Sequence, residues 1–554
     1  MTSHRTRSHT LLLAPAIALV AILLIGPLLH LFVVSFVKDG LSLDLYGRIF
    51  TSPAYRVPLL NTFLIAALVT AGTIILGYPV AYVMATVGPT TARLVAFVVL
   101  LPFWTSALVR TTAWIILLQR NGVLNSLLTT TGLVDEPIAF VYNFSGVLIG
   151  MIHVLMPFVV LPLYAAFRSI DRNLLMAAEG LGAGPMRIFR RVIAPLTMPG
   201  VLAGGLIVFM SALGYYITPA ILGGPGQRMI AMMIQFHLQE QLDWGMAAAL
   251  AIVLLAMTLL LFWLFQRRFG LDRLWGGVAG GGSLVDTIGS GGAYRRSHSG
   301  RLTLVAGAVV GVFLLAPIVM VFPLSLSHSP FLVFPSPSYS LRWYESLMSD
   351  PKWIESVINS LVVASLAVPL ATIAGTLAAL GCRRLAPTLG IVIESTMLLP
   401  MIVPHITVAV ALYYLYATLG LVGGRLGLAL GHAMLALPFA FLTVRASLRS
   451  FDPNLELAAA SLGASSTITF RRVVLPQIAP GIMAGAVFAF VSSFDEVILA
   501  IFLTDISSRT LPKLMYEGVA HEIDPTVSAA AVVLILASAI PLIISMFRPR
   551  RRMA

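Results

Sequence analysis

An all-α integral membrane protein of two parallel six-helix repeats, about 12 crossings in all, is predicted by three features of the sequence. The 554 residues are 58% hydrophobic and only 10% charged, whereas soluble domains carry about 25% charged residues. Six runs in each half are apolar and long enough for a bilayer crossing, which takes about 20 residues of helix. A basic segment, RSIDRNLLMAAEGLGAGPMRIFRRVIAPLTMPG from Arg168 to Gly200, recurs without a gap 281 residues later. The second copy reads RSFDPNLELAAASLGASSTITFRRVVLPQIAPG, from Arg449 to Gly481. A match of that density within one chain is an internal duplication.

Taken in order, the first-half crossings fall near 11–36, 58–86, 94–118, 145–167, 200–223 and 245–266. Those of the second half fall near 302–327, 356–382, 388–415, 427–448, 481–504 and 526–547. The first run is too long for a signal-peptide core and lacks a small-residue cleavage site, so it reads as a retained crossing. The second and third crossings repeat at an offset of 298: Asn61 matches Asn359, Gly77 matches Gly375, and Leu100-Leu101-Pro102 matches Leu398-Leu399-Pro400. The change of offset gives the first half about 17 additional residues, a polar insertion around Arg120 to Phe144. Residues 1–267 form the first repeat and 302–554 the second. The linker 268–301 contains GGVAGGGSLVDTIGSGG, a composition that makes it flexible. An even number of crossings gives both repeats one orientation and a pseudo-twofold axis along the membrane normal.

The net charge of +13 follows the inner-leaflet bias of Lys and Arg rather than a nucleic-acid partner. With the N-terminus inside, the cytoplasmic segments hold Arg93, both copies of the basic segment, Arg267, Arg268, Arg383, Arg384 and the tail arginines 548–552. Both termini and both repeated loops are therefore expected in the cytoplasm. The single cysteine, Cys382, excludes an intramolecular disulfide and a cysteine metal cluster.

Each basic segment reads as two short helices at the membrane surface. Asp171 and Asp452 suit the N-cap. Ala177-Ala178 and Ala458-Ala459 give a shallow helical face, and Gly182 and Gly463 suit a left-handed helix end. Pro195 and Pro476 are expected to stop the second helix before the chain re-enters the membrane. Arg190-Arg191 and Arg471-Arg472 serve equally as inner-leaflet anchors or as partners for acids on another protein.

Those residues resemble the EAA loop of binding-protein-dependent ABC importer permeases: Glu-Ala-Ala, a glycine, then Ile-x-Leu-Pro. Here Met176-Ala177-Ala178, Gly182 and Val192-Ile193-Ala194-Pro195 supply one copy. Leu457-Ala458-Ala459, Gly463 and Val473-Val474-Leu475-Pro476 supply the other. Neither copy has glutamate at the first position. The resemblance implies a type I (MetI-like) permease fold in a bacterial inner membrane. It also implies two cytoplasmic ABC ATPase subunits seated on the loops and a periplasmic or lipoprotein solute-binding protein. No cofactor is expected in this chain; ATP and Mg²⁺ belong to the ATPase, and the sequence holds no G-x-x-x-x-G-K-[ST] phosphate loop. The chain is thus expected to be a transport permease and not an enzyme.

Within the membrane, Asp495-Glu496 interrupts the apolar run FVSSFDEVILAIF, roughly 21 Å from Gly481 at about 1.5 Å per residue. Intramembrane acids are costly and commonly face a pathway; protonation or a structural bond is the other reading. The first-half counterparts are Gly214 and Tyr215, followed by Tyr216. Acid on one side and aromatic rings on the other suit an organic cation. Arg110 and Glu394 are expected to snorkel to the interfaces, and His153 and His405 to pack. GMIHVLMPFVVLPLYAAF with GYYITPAILGG, and SSFDEVILAIFLT with TLPKLMYEG, resemble the two permease subunits of spermidine/putrescine importers joined in one chain. The same class serves Fe³⁺, aminophosphonates and other small solutes. A secondary transporter is the competing class, though it gives the duplicated loop no role.

Overall fold

The structure, a computed structural model, describes residues 11–36, 42–269, 301–331, 334–336, 338–383, 385–522 and 524–547. The expected linker, apart from its ends, and the terminal arginines lie outside the described residues. Apart from one bridge between Ser327 and Tyr339, the described residues form helices, turns and loops without a strand.

The first half opens with α1 (Ala14–Val34), α2 (Asp44–Thr51) and the long α3 (Pro53–Thr86). Then come α4 (Pro89–Leu100), α5 (Ala107–Leu118) and α6 (Val123–Thr130). The pair α7 (Phe144–Leu155) and α8 (Pro157–Arg168) bends by 46° at its junction. The surface helix α9 (Arg172–Gly180) leads into α10 (Pro185–Leu213), then short α11 (Ile217–Leu222) and α12 (Ile230–Gln235), and finally α13 (Trp244–Phe269).

The second half repeats the plan. It runs α14 (Arg301–Ser325), α15 (Arg342–Ser349), α16 (Pro351–Cys382), α17 (Pro387–Ile402) and α18 (His405–Leu419). After these come α19 (Arg425–Arg449), α20 (Asn454–Ser461) and α21 (Ser466–Phe494). The chain closes with α22 (Ile498–Leu503), α23 (Leu511–Glu517) and α24 (Thr526–Phe547).

Among the described residues, eight helices are long and apolar enough to cross a bilayer, and two bent pairs bring the number to ten. The third crossing of the first half, expected as one run at 94–118, is instead broken between α4 and α5 by a 3₁₀ turn, Leu101–Trp104. Pro102, which has no N–H to donate, lies in this turn. Together with α24, this broken crossing brings the count to about twelve.

The expectation that Pro195 and Pro476 end a helix is corrected. Both lie inside continuous helices, α10 and α21, each following one π-helical turn (Phe189–Ile193 and Phe470–Val474). A wide turn re-spaces the backbone ladder, so a residue without an N–H fits at its edge.

The two offsets read from the sequence reappear as hydrogen bonds. Asn61 Nδ2 donates to the carbonyls of Gly226 and Arg228, at 2.8 and 3.2 Å. Its counterpart Asn359 donates to Ser507 and Arg509, at 3.0 and 2.9 Å. Beside them, the hydroxyls of Thr62 and Ser360 accept from the amides of Ile230 and Leu511, at 2.9 and 2.8 Å. Each pair pins the loop that follows crossing five of one half to its long second crossing. Crossings four and five also meet through matched glycines: a Cβ on Gly204 would lie 2.9 Å from Val159 Cα, and one on Gly485 3.0 Å from Ala440 Cα. Close approach through small residues is how helices gain dispersion contact where lipid offers no hydrophobic drive.

The first crossings are exchanged. Helix α1 lies against α16, α17 and α18 of the other half as well as α13, and α14 lies against α3, α4, α5 and α24. His153 Nε2 meets the Leu314 carbonyl at 3.0 Å across this contact, so the packing role expected for His153 holds.

Gly204→Val should lower the thermal unfolding temperature of the purified protein, since overpacking a tight core costs about 1–3 kcal/mol. Gly47→Ala, with nothing within 4 Å of an added Cβ, should not.

Candidate functional site

Two regions bring polar chemistry together: the paired surface loops and the seam where the two halves meet.

In the loops, local sequence fixes the turn. Asp171 accepts from the Asn173 amide at 2.9 Å and is the expected N-cap of α9. Asp452 accepts from the Asn454 amide at 2.9 Å, but the N-cap of α20 is Pro453, so Asp452 sits one residue before the expected position. Gly182 and Gly463 have φ of +75° and +79°, the left-handed region that costs other L-residues about 1–2 kcal/mol. Their amides donate to Glu179 and Ala460, at 2.9 and 3.0 Å; the next amides, Ala183 and Ala464, donate to Ala178 and Ala459 at 3.0 Å. This is the Schellman closure, identical in both copies. It pushes Leu181 and Leu462 outward, 87% and 88% exposed. Ala177 and Ala458 are exposed, and Ala178 and Ala459 half-buried. Arg190, Arg191, Arg471 and Arg472 are exposed on the π-helical turns, and Pro195 and Pro476 are exposed one turn on. Leu181 and Leu462 were not among the sequence candidates, although both recur at the shared offset. Two apolar side chains standing in water beside a shallow alanine face form a surface shaped for a protein partner.

At the seam, crossing five of each half breaks at matched positions, Gly214–Tyr216 and Asp495–Val497. Each break meets the break in crossing three of the other half. A Cβ on Gly214 would lie 2.6 Å from Pro404 Cβ, a dry steric contact. Its counterpart is polar: the Asp495 carboxylate faces Ser106, the Ala107 amide and Arg110. Asp495 Oδ1 is buried without a hydrogen-bond partner. Tyr215 lies within reach of both Arg110 and Asp495 and bonds to Thr218.

Arg110 does not snorkel. It is 5% exposed, its Nε 3.4 Å from the Ser106 carbonyl and its Nη1 3.5 Å from that of Val154. The break after Pro102 starts α5 within the crossing, so Arg110 lies in the first turn of α5, in the protein interior. Glu394 is partly exposed and pairs with Arg445. A sequence signal existed for Arg110: it has no charged counterpart, Val408 standing at the matched position.

The other two sequence candidates have different surroundings. Glu496 turns onto its own chain, accepting from the Ile498 and Leu499 amides at 3.2 and 2.7 Å. His405 Nδ1 and His432 Nε2 stand 3.9 and 3.8 Å from its oxygens. Tyr216 is buried, and its hydroxyl meets that of Tyr516 at 2.8 Å across the halves. Beyond the seam, the exposed Asp505 takes hydrogen bonds from Ser507 and Ser508, which hold its carboxyl below the usual range.

Comparison with known sequences places this geometry. The family described as the binding-protein-dependent transport system inner membrane component matches twice, at residues 73–268 and 367–553. The chain belongs to that family. It is an ABC importer permease, a multi-pass inner-membrane protein carrying two permease units in one polypeptide. The spermidine/putrescine transport system permease protein PotB of Salmonella typhimurium is 37% identical over 236 residues, 42% of this chain and 82% of that protein. The PotC permease protein of Haemophilus influenzae is 30% identical over 213 residues, 38% and 83% of the two chains. The probable ABC transporter permease protein y4fN of Sinorhizobium fredii is 29% identical over 404 residues, 70% and 68% of the two. Membership implies an ATPase and a solute-binding protein as partners of this permease.

Glu496→Ala should remove the cap of α22 and cost about 0.5–2 kcal/mol, read as an earlier thermal transition of the purified permease. Glu496→Gln, which keeps an acceptor oxygen, should lose less.

Proposed function

We propose that the chain is a fused importer permease for a polyamine such as putrescine or spermidine. Residues 1–267 and 302–554 are the two bodies, with 268–301 joining them across the cytoplasmic face. Helices α9 and α20 each seat one of two cytoplasmic ATPase subunits, which supply ATP hydrolysis with Mg²⁺. A periplasmic or lipoprotein solute-binding protein delivers the substrate to the opposite face. The placement of Lys and Arg supports cytoplasmic termini and loops. The matched Schellman turns with their outward leucines support the two-ATPase reading, because each half offers the same docking surface.

The substrate reading rests on one observation: a buried carboxylate oxygen of Asp495 without a partner, beside Tyr215, at the contact between the halves. A primary ammonium supplies the missing donors, and its methylene chain lies against the ring. The names of the PotB and PotC relatives agree with that chemistry. A second reading is favoured by Arg110: a zwitterion such as an aminophosphonate would use carboxylate and guanidinium together.

In cells lacking other polyamine importers, Asp495→Asn should reduce labelled spermidine uptake at least about tenfold, the effect of losing roughly 1.4 kcal/mol of charge pairing. The ATPase should still co-purify. Unchanged uptake would remove Asp495 from the pathway. Arg110→Gln distinguishes the readings: retained polyamine uptake fits the first, and loss of aminophosphonate uptake alone fits the second. For the loops, Gly182→Val or Leu462→Asp should reduce the ATPase recovered with the purified permease. Full recovery in both variants would refute the docking role.

A further inference from the structure

The two surface loops share a backbone but are fastened to their crossings by different chemistry. In the second half, Arg383 caps the end of α16 and its Nη1 meets Glu456 Oε1 at 2.5 Å. Glu456 lies in the first turn of α20, where negative charge also suits the helix dipole. The same guanidinium lies over the Phe451 ring, 4.8 Å from its centre, and Phe451 is buried just before α20 begins. Arg383 therefore grips both the helix and the chain entering it. A second ion pair at this end, Arg445 with Glu394, joins α19 to α17.

None of these charges exists at the matched positions of the first half. Glu456 and Arg383 are replaced by Leu175 and Ala85, and Arg445 and Glu394 by Tyr164 and Ala96. Leu175 is buried at 3% exposure. The first loop rests on an aromatic cluster: the Tyr78 and Tyr82 rings are 5.2 and 5.6 Å from Phe167, and Tyr78 is 5.9 Å from Phe189. The Tyr78 hydroxyl also meets Thr197 at 2.8 Å. At the matched places the second half has Thr376, Leu380, Leu448 and Phe470, which retain one ring of the four.

We infer that Arg383 and Glu456 are positioning residues that pass movement of the second loop to crossing α16, through an ion pair whose residues have no charged counterparts at the matched positions of the first half. The inference rests on the reading of α9 and α20 as ATPase-docking helices. Its consequence is a salt-dependent linkage between the second loop and α16. Arg383 and Glu456 are 21% and 22% exposed, so mobile ions reach and screen the pair. Aromatic and leucine packing is not screened.

The test uses the full chain assembled with its ATPase and binding protein in proteoliposomes, measuring uptake and ATP hydrolysis in parallel. Glu456→Gln should leave the ATPase bound but lower solute moved per ATP by about fivefold, the ratio a partly exposed ion pair supports. Exchanging the charges, Arg383→Glu with Glu456→Arg, should restore most of that ratio. The wild-type ratio should fall in high salt. The double variant Glu456→Leu with Arg383→Ala, which installs first-half residues, should show no such fall. An unchanged ratio in Glu456→Gln, or no recovery on charge exchange, would overturn the inference. Loss of the ATPase from Glu456→Gln would also overturn it, because the carboxylate would then be touching the partner. Failure of the docking reading is seen separately, in co-purification with Gly182→Val and Leu462→Asp.

Discussion

In hydrocarbon a peptide N–H or C=O without a partner has no water to turn to, and each such group costs several kcal/mol. That constraint decides where this protein can interrupt its helices. The breaks at Leu101–Trp104, Gly214–Tyr216 and Asp495–Val497 are admissible only because each faces another segment of protein rather than lipid. The break in crossing three of one half meets the break in crossing five of the other. Irregular backbone is concentrated at one seam, and the polar side chains follow it there. Ser106, Arg110, Tyr215 and Asp495 collect where the ladder is already open.

The same frame, used twice, is chemically uneven. The anchoring asparagines, the glycines between crossings four and five, and the Schellman turns are conserved between the halves as geometry. The seam contacts and the loop fastenings are not: Gly214 on Pro404 corresponds to Asp495 at Ser106, and the residues matched to Tyr78 and Phe167 are Thr376 and Leu448. Duplication keeps what the backbone needs and leaves side chains free wherever the two copies do different work.

Much of this could be read from the sequence, because the repeat offsets carried geometric information. The shift of 298 between Asn61 and Asn359 and the shift of 281 between the loops reappear together in which loop each asparagine reaches. The cap at Asp171 and the left-handed glycines were legible because they depend on neighbours in the chain, while at Asp452 the proline that follows takes the N-cap position. The failures concern crossings taken as unbroken and prolines taken as terminators. Hydropathy averages over Pro102, so it placed Arg110 near a helix end when the helix in fact restarts beside it. A π turn before Pro195 leaves no compositional mark, so the continuity of α10 was hidden. Glu496 and Asp495 are adjacent in sequence but part company in space, one bonded to its own amides and one turned to the opposite half.

The exchange of α1 and α14 bears on how the molecule is made. When α1 leaves the ribosome, three of the helices it finally lies against, α16, α17 and α18, are more than three hundred residues from being synthesised. Until then, of the helices it finally lies against, α13 of the first half is the one already made. Completion of the first half cannot by itself yield the finished arrangement, and its final packing waits on translation of the second. Joining both halves in one polypeptide ensures that the missing surface arrives in the same membrane, next to the helix that has been waiting for it.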